Sequence, residues 1–469
     1  MPYTFVLRSW LARAITLARY LAGTAMRRLR KNDGLVAAPI TFPVDVMDYD
    51  VLNLVTRFLA ITGTEPWSRK RAALRRQLQE NEYLRDWQAE YFGIELKLLE
   101  LLEEQQRTGQ FPIHVRDHMH YKLYGFVAGI VRIHERLSSR GQNRLRGMLR
   151  DGLQPDNNLL SLQHEVLTAV HLVSRGYLIV LNDLEGNGGV DFIALRDGLE
   201  VEVECKMFTG DIGRQIHRRK ALDLQKRLSE ALKIIYNRAE AGISLRITLP
   251  ARLTCRPEQI RGVTAAVTDA MESPTSRVKT PHCEVEVVRF EIADSPFTVS
   301  DPRAVMKAVP SFVEKQLGRT NRELMVMFAP GKRAIVVLVE SAKSDEVLKG
   351  VYRQLREAAK GQFTKCRPGI LSVQFQDLTA EQMESIAKAN TTDAQGATGL
   401  QLMTTYFLSK VNRAHIHTVS YRSHGILVSQ ESSGANTIQE GGLAYFVRNP
   451  LNSFYADQRV RAFAHEGGK

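Results

Sequence analysis

The segment Leu199-Glu200-Val201-Glu202-Val203-Glu204-Cys205-Lys206 alternates apolar and charged residues without a break. Successive side chains of an extended strand point to opposite faces, so Leu199, Val201, Val203 and Cys205 share one face and Glu200, Glu202, Glu204 and Lys206 the other. Upstream, Arg196-Asp197-Gly198-Leu199 contains Asp-Gly, a strong signal for a two-residue hairpin turn. With Arg196 and Leu199 flanking that turn, the register sets Asp191 opposite Glu204. Two carboxylates facing each other across a ladder repel unless something cationic lies between them. Mg²⁺, with Mn²⁺ as an alternative, suits such a pair, because it needs only one or two carboxylates when waters and substrate phosphate complete its shell. Lys206 then stands beside the attacking water. The chemistry expected of this group is hydrolysis of a phosphodiester.

A third acid comes from upstream, where Leu162, Val166, Ala169, Val170 and Val173 recur at helical spacing and Glu165 interrupts the stripe. A carboxylate on an apolar face costs desolvation energy unless it is paired or bound to a cation. Glu165 therefore either joins the metal site or forms a salt bridge, with Lys206 as one candidate partner. Glu200 and Glu202 read as peripheral, either solvated or structural.

Glu165 on a helix, Asp191 on a strand and Glu204-Cys205-Lys206 on the next strand closely resemble the PD-(D/E)xK nuclease superfamily, over roughly residues 159–250. The resemblance implies a restriction-endonuclease-like α/β core. It implies that Asp191 and Glu204 bind the metal, that Glu165 supports the site, and that Lys206 orients or activates the attacking water. Val190 stands where the family often has proline. DNA is implied as substrate ahead of RNA. The exonuclease branch often carries Q-x-x-x-Y, and here Gln215 is followed by Arg219 at the tyrosine position, so endonuclease action is expected ahead of exonuclease action.

Beyond Lys206 the run Gly213-Arg214-Gln215-Ile216-His217-Arg218-Arg219-Lys220 is densely basic. Arg214, Gln215, His217, Arg218 and Arg219 are the expected contacts to a phosphate backbone. Gly186-Asn187-Gly188-Gly189 reads as a flexible loop ahead of an anion-binding nest. His415, His417 and His424 sit in a strand-like stretch with no fixed third ligand, which favours ordinary strand histidines over a metal site.

The elements that must position these residues fall into three regions. Residues 1–155 are expected to be helical, with a basic amphipathic first segment in residues 1–32 that reads as a packing helix ahead of a membrane anchor. Residues 156–300 form the expected nuclease domain, with strands at 177–181, 190–195 and 199–205, a basic helix at 220–237 and a strand at 244–249. Residues 301–469 repeat the α/β alternation, with Val339-Glu340-Ser341-Ala342-Lys343 echoing the site strand, so a degenerate repeat of the nuclease core is one reading. The expected class is thus multidomain α/β.

With 64 Lys+Arg against 51 Asp+Glu, the net charge of +13 favours a polyanionic partner. Four cysteines without a CxxC pair exclude a zinc ribbon or a disulfide framework and fit a reducing cytoplasm. No apolar run is long enough to span a bilayer. Two rivals to a nuclease stand beside it: a non-catalytic nucleic-acid-binding or assembly subunit of the same fold, and a peripheral membrane protein using residues 1–32. Partner proteins and self-association stay open.

Overall fold

A computed structural model describes residues 40–41, 48–109, 118–272, 276–317, 323–376, 378, 383–384, 399–423, 426–432, 435–441 and 444–461. The amphipathic segment 1–32 and His424 lie outside the described residues. After a short strand β1 (Ile40–Thr41), apolar residues recurring every third or fourth position produce α1 (Asp48–Thr62), α2 (Glu65–Glu80), α3 (Arg85–Tyr91), α4 (Gly93–Thr108), α5 (His118–Arg136), α6 (Ser139–Gly152) and α7 (Leu160–Ser174). Alternating segments then form β2 (Leu178–Val180), β3 (Phe192–Arg196) and β4 (Leu199–Phe208). Next come α8 (Arg218–Arg238), β5 (Gly242–Leu249), α9 (Pro257–Glu272), β6 (Arg277–Lys279), β7 (Glu284–Phe290), α10 (Pro302–Leu317), β8 (Glu323–Ala329) and β9 (Arg333–Ser341). The chain continues through α11 (Val347–Gly361), β10 (Gly369–Phe375), α12 (Gly399–Leu408), β11 (Ile416–Arg422), β12 (Ile426–Ser432), β13 (Ala435–Gly441), β14 (Ala444–Arg448) and α13 (Gln458–Arg461). Among the described residues no helix is long and apolar enough to cross a membrane.

The chain is mixed α/β and divides into two compact units, residues 1–74, 88–210 and 348–469 in the first and residues 75–87 and 211–347 in the second. The first unit holds a six-stranded sheet in the order β14-β11-β10-β4-β3-β2, with β4, β10 and β11 mutually parallel and the outer pairs antiparallel. Ala169 and Leu172 of α7 pack on Phe192, Ala194, Val201, Val203 and Ile370. The second unit holds a five-stranded sheet, β6-β7-β5-β9-β8. Leu224, Leu228 and Leu232 of α8 and Val263 and Val267 of α9 share a core with Leu245 and Val337, while Val305, Val309 and Val313 of α10 pack with Val336 and Leu338. In addition, β1, β13 and β12 form a three-stranded antiparallel sheet.

This partition corrects the expected boundaries. The strand expected at 244–249 does not continue the site's sheet: β5 pairs with β7 and β9 in the second unit, and the neighbour of β4 is β10, whose Leu371 is opposite Glu204. Both β5 and β10 are apolar and buried on both faces, so either sequence suits a central strand, and only pairing between distant segments decides which sheet each joins. Nor do residues 301–469 form a repeat of their own, since β8 and β9 complete the second sheet and β10 and β11 the first. Glu340 of the echoed motif accepts from Thr248 Oγ1 at 3.0 Å and forms an ion pair with Arg246, whose Nε is 3.2 Å away, a structural pairing inside the second unit.

The helical region 1–155 is not a separate domain either. Gly129 of α5 lies so close to α7 that a Cβ there would meet Val166 Cγ1 at 2.4 Å, and this close approach seats the helices against the site-bearing part of the first unit. Lys70, one of the basic residues of α2, is fully buried. Its Nζ donates to the carbonyls of Gln154 at 2.8 Å, Pro155 at 3.2 Å and Asn157 at 2.5 Å, so it clamps the turn ahead of α7. Burial lowers its pKa to about 8 against the raising influence of Glu95. Burial likewise lifts Glu95, whose Oε1 accepts from the Leu159 N–H at 2.8 Å, to about 7.

Candidate active site

The hairpin has the expected register. Phe192 is opposite Val203 and Arg196 opposite Leu199, with Asp197 (φ 49°) and Gly198 (φ 75°) in the left-handed region that a type I′ turn needs. Asp191 immediately precedes β3, and its Oδ2 accepts from the Cys205 N–H at 2.6 Å, which holds it beside Glu204. Lys206 Nζ is 2.5 Å from Glu204 Oε1; the lysine side chain is 28% exposed and the glutamate 3%, so the ammonium reaches solvent from a carboxylate that does not. The other glutamate oxygen, Glu204 Oε2, is buried without a hydrogen-bond partner among the described residues.

Glu165 enters from α7. Burial, with the charges of Asp191, Glu204 and Asp183, raises its pKa well above the usual carboxylate value, against a smaller lowering by Lys206. Burial and Glu204 raise Asp191 to about 7, even though the Cys205 N–H and Lys206 favour its ionised form. Burial also raises Glu204, against Lys206. Burial lowers Lys206, but Glu204, Asp191 and Glu165 outweigh it and the net shift is upward. The arithmetic of charge is therefore unbalanced: Glu165, Asp191 and Glu204 influence one another around a single ammonium, and desolvation makes their joint ionisation costly.

Two further residues belong to this neighbourhood and were not singled out from sequence. Asp183 follows β2; its N–H donates to the Asp191 carbonyl at 3.3 Å, its carboxylate accepts from Arg144 Nη2 at 2.9 Å, and its charge raises all three acids. Arg144 is one of several arginines on α6, and it is tied to this acid. His164, next to Glu165, is buried, and its Nε2 lies 3.0 Å from the Ser372 carbonyl, which pins α7 to β10. The only local signal for Asp183 was an acid in a turn, and for His164 a histidine on an apolar stripe.

Glu200 and Glu202 are separated from the site by their partners. Glu202 is fully buried, accepting from the Thr364 N–H at 3.0 Å, from Thr364 Oγ1 and from Arg367 Nη1 at 3.4 Å, while Glu200 pairs with Arg367 Nε. Glu202 is structural rather than solvated. His417 is buried on β11 with Nδ1 2.6 Å from Thr418 Oγ1, and the His415 ring lies tilted against that of Phe363 with centroids 5.7 Å apart. All four cysteines are free.

Among the described residues, no group of three or more His, Cys, Asp or Glu side chains is placed to hold a metal ion. Mg²⁺ requires only one or two carboxylates, with water and substrate phosphate supplying the rest. The partnerless Glu204 oxygen and the raised carboxyl of Asp191 fit that demand.

The expected phosphate contacts lie in the second unit, at the N-terminus of α8, and are engaged there. Arg214 Nη1 is 3.9 Å from Asp345 Oδ2 and the Gln215 N–H donates to Asp345 Oδ1 at 2.9 Å. His217 Nε2 is 2.6 Å from Arg252 Nη2, the Arg218 N–H donates to Asp211 at 2.9 Å, and Arg219 stacks 5.2 Å over Trp87. Burial, Arg252 and Lys220 lower the His217 pKa.

No family model, curated protein or solved structure matches this chain.

Proposed function

We propose that the protein is a metal-dependent phosphodiesterase acting on nucleic acid, with DNA ahead of RNA, and that α7, β2, β3, β4, α11 and β10 are a restriction-endonuclease-like core. The observation that carries this reading is the gathering of Glu165, Asp191 and Glu204 around Lys206, with the acids' pKa values raised and one Glu204 oxygen left without a partner. A structural cluster would be expected to neutralise itself; this one has more acid than base.

Asp191 and Glu204 are the residues to hold Mg²⁺ or Mn²⁺, with Glu165 in support. The cation, when bound, stabilises negative charge developing on the phosphoryl oxygens. The chain's own contributions are distinct. The Cys205 N–H fixes the orientation of Asp191. Lys206, partly exposed and held by Glu204, positions a water for in-line attack and offsets the charge that accumulates in the transition state. Burial of the carboxylates keeps bulk water from screening these interactions.

The pairing of Lys206 with Glu204 also favours a second reading, a non-catalytic nucleic-acid-binding subunit whose lysine serves only as a salt-bridge partner. Incubation of the purified protein with supercoiled DNA, linear DNA and RNA, each with Mg²⁺, Mn²⁺ or EDTA, separates the two. Cleavage that requires the cation supports the enzyme; binding without cleavage in every arm supports the subunit.

A further inference from the structure

The nucleic-acid contacts expected from sequence lie at and just before the start of α8 in the second unit, but the first unit carries a basic surface of its own. On α11 the buried residues Gly350, Val351, Leu355, Ala358 and Ala359 occupy one face. Lys349, Arg353, Arg356 and Lys360 follow a 4-3-4 spacing, which at 3.6 residues per turn keeps them within about 60° of one another on the opposite face. All four are exposed, and every exposed residue of α11 except Gly361 is charged, with Glu357 the single acid. Among the described residues, Arg353, Arg356 and Lys360 form no ion pair and accept or donate no side-chain hydrogen bond.

The stripe ends in a pocket of about 470 Å³ lined by Arg356, Glu357, Lys360, Lys365, Asn412 and Arg413. Arg413 is an immobilised cation. It is buried, its Nη1 donates to the Phe407 carbonyl at 2.7 Å, and its guanidinium lies 4.2 Å from the Phe407 ring centroid and 5.4 Å from that of Tyr352. Lys365 takes a positive φ of 68°. Four cations thus meet one carboxylate in a concave site.

We propose that the outward face of α11 and the pocket at its end form a track for a nucleic-acid phosphate backbone. The proposal rests on the nucleic-acid part of the function proposed above and assigns it a surface on the same unit as the acids. From Lys349 to Lys360 the helix rises about 16 Å, long enough to meet several phosphates in series. A membrane surface is the poorer match, because an interfacial helix needs an apolar face to insert and that of α11 is already buried in the protein.

The test is fluorescence anisotropy in EDTA, with a labelled DNA duplex and a labelled single-stranded RNA, at salt from about 50 to 200 mM. The full chain is compared with its Arg353→Gln, Arg356→Gln, Lys360→Gln triple variant. We expect at least a roughly tenfold weakening of affinity. The slope of log affinity against log salt should become shallower by about 2 to 3, at roughly 0.7 to 0.9 for each phosphate that is no longer neutralised. The steeper change identifies the preferred nucleic acid. Replacing both arginines by lysine instead keeps the charge and should keep the slope, which guards against loss through misfolding. Unchanged affinity and slope in the triple variant overturn the track. So does a wild-type chain that binds phosphatidylserine vesicles and neither nucleic acid, or a larger loss from Arg218→Gln with Arg219→Gln. Binding without Mg²⁺-dependent cleavage by the parent sinks the nuclease alone, and cleavage with an unchanged slope in the triple variant sinks the track alone.

Discussion

At the proposed metal site, Asp191 is a side chain for which a proton and a cation would compete. Replacing Asp191 or Lys206 by alanine should reduce cleavage by roughly 10²- to 10⁴-fold, the usual worth of a positioned acid-base group, while far-UV circular dichroism stays that of the parent. Loss of the folded signal in both variants would assign them to structure instead. The raised pKa also has a consequence for stability. Because Asp191 titrates near 7 in the folded protein, above the ordinary aspartate value of 3.8, its stabilising contribution is fully present below about pH 4 and is lost as pH rises through 7. In EDTA, thermal unfolding between about pH 4 and 8 should therefore show a smaller fall with rising pH in Asp191→Asn than in the parent. Mg²⁺ should restore the parent at the alkaline end of that range more than the variant. Glu165 sharpens the point. Lys206 is paired with Glu204, so Glu165→Gln need not break a salt bridge with it; the variant should unfold close to the parent in EDTA but gain less from Mg²⁺. Equal gains in both proteins would remove Glu165 from the site.

At the scale of elements, β4 carries two kinds of glutamate on one face. Glu204 faces an acid and has an oxygen without a hydrogen-bond partner among the described residues, whereas Glu202 ties the strand to the loop after α11 through Thr364 and Arg367. Arg367→Ala should lower stability by about 1 to 3 kcal/mol, the cost of leaving a buried polar group short of a partner. Denaturant midpoints should fall while the metal-induced stabilisation is retained. A selective loss of that stabilisation with normal midpoints would place Glu202 in the metal site. The helix stripes behave similarly: Arg144 is bonded to Asp183 and Lys70 is sealed under the turn before α7, while α11 keeps its stripe exposed. Basic spacing is a poor guide to a binding face until acids brought from other elements are known.

At the scale of the whole molecule, the first unit is discontinuous in sequence. Its β4 is completed by β10, and residues 211–347 of the second unit intervene; near that unit's ends the Glu346 N–H donates to the Gly213 carbonyl at 2.8 Å. A fragment of residues 156–300 holds β4 without β10 and β5 without β9, leaving two central strands unpaired along one edge. We expect that fragment to unfold non-cooperatively or to aggregate, whereas the full chain shows cooperative transitions by circular dichroism and calorimetry. A sharp calorimetric transition for the fragment would contradict the interleaved arrangement.

What was determined by sequence alone was local. Period-two alternation placed Glu204 and Lys206 on one face of β4, Asp197-Gly198 set the register that brings Asp191 beside Glu204, and helical spacing put Glu165 on α7. These follow from backbone geometry over a few residues, so they are legible without a partner. The tertiary structure decided everything that depends on long-range pairing. It chose β10 over β5 as the neighbour of β4, brought Asp183 into the cluster and paired Lys206 with Glu204. It buried Glu202 and Lys70, and engaged the basic stretch at α8. Apolar strands of similar length are interchangeable until the sheet assembles, and a charge has no fixed role until burial and its neighbours set its energy.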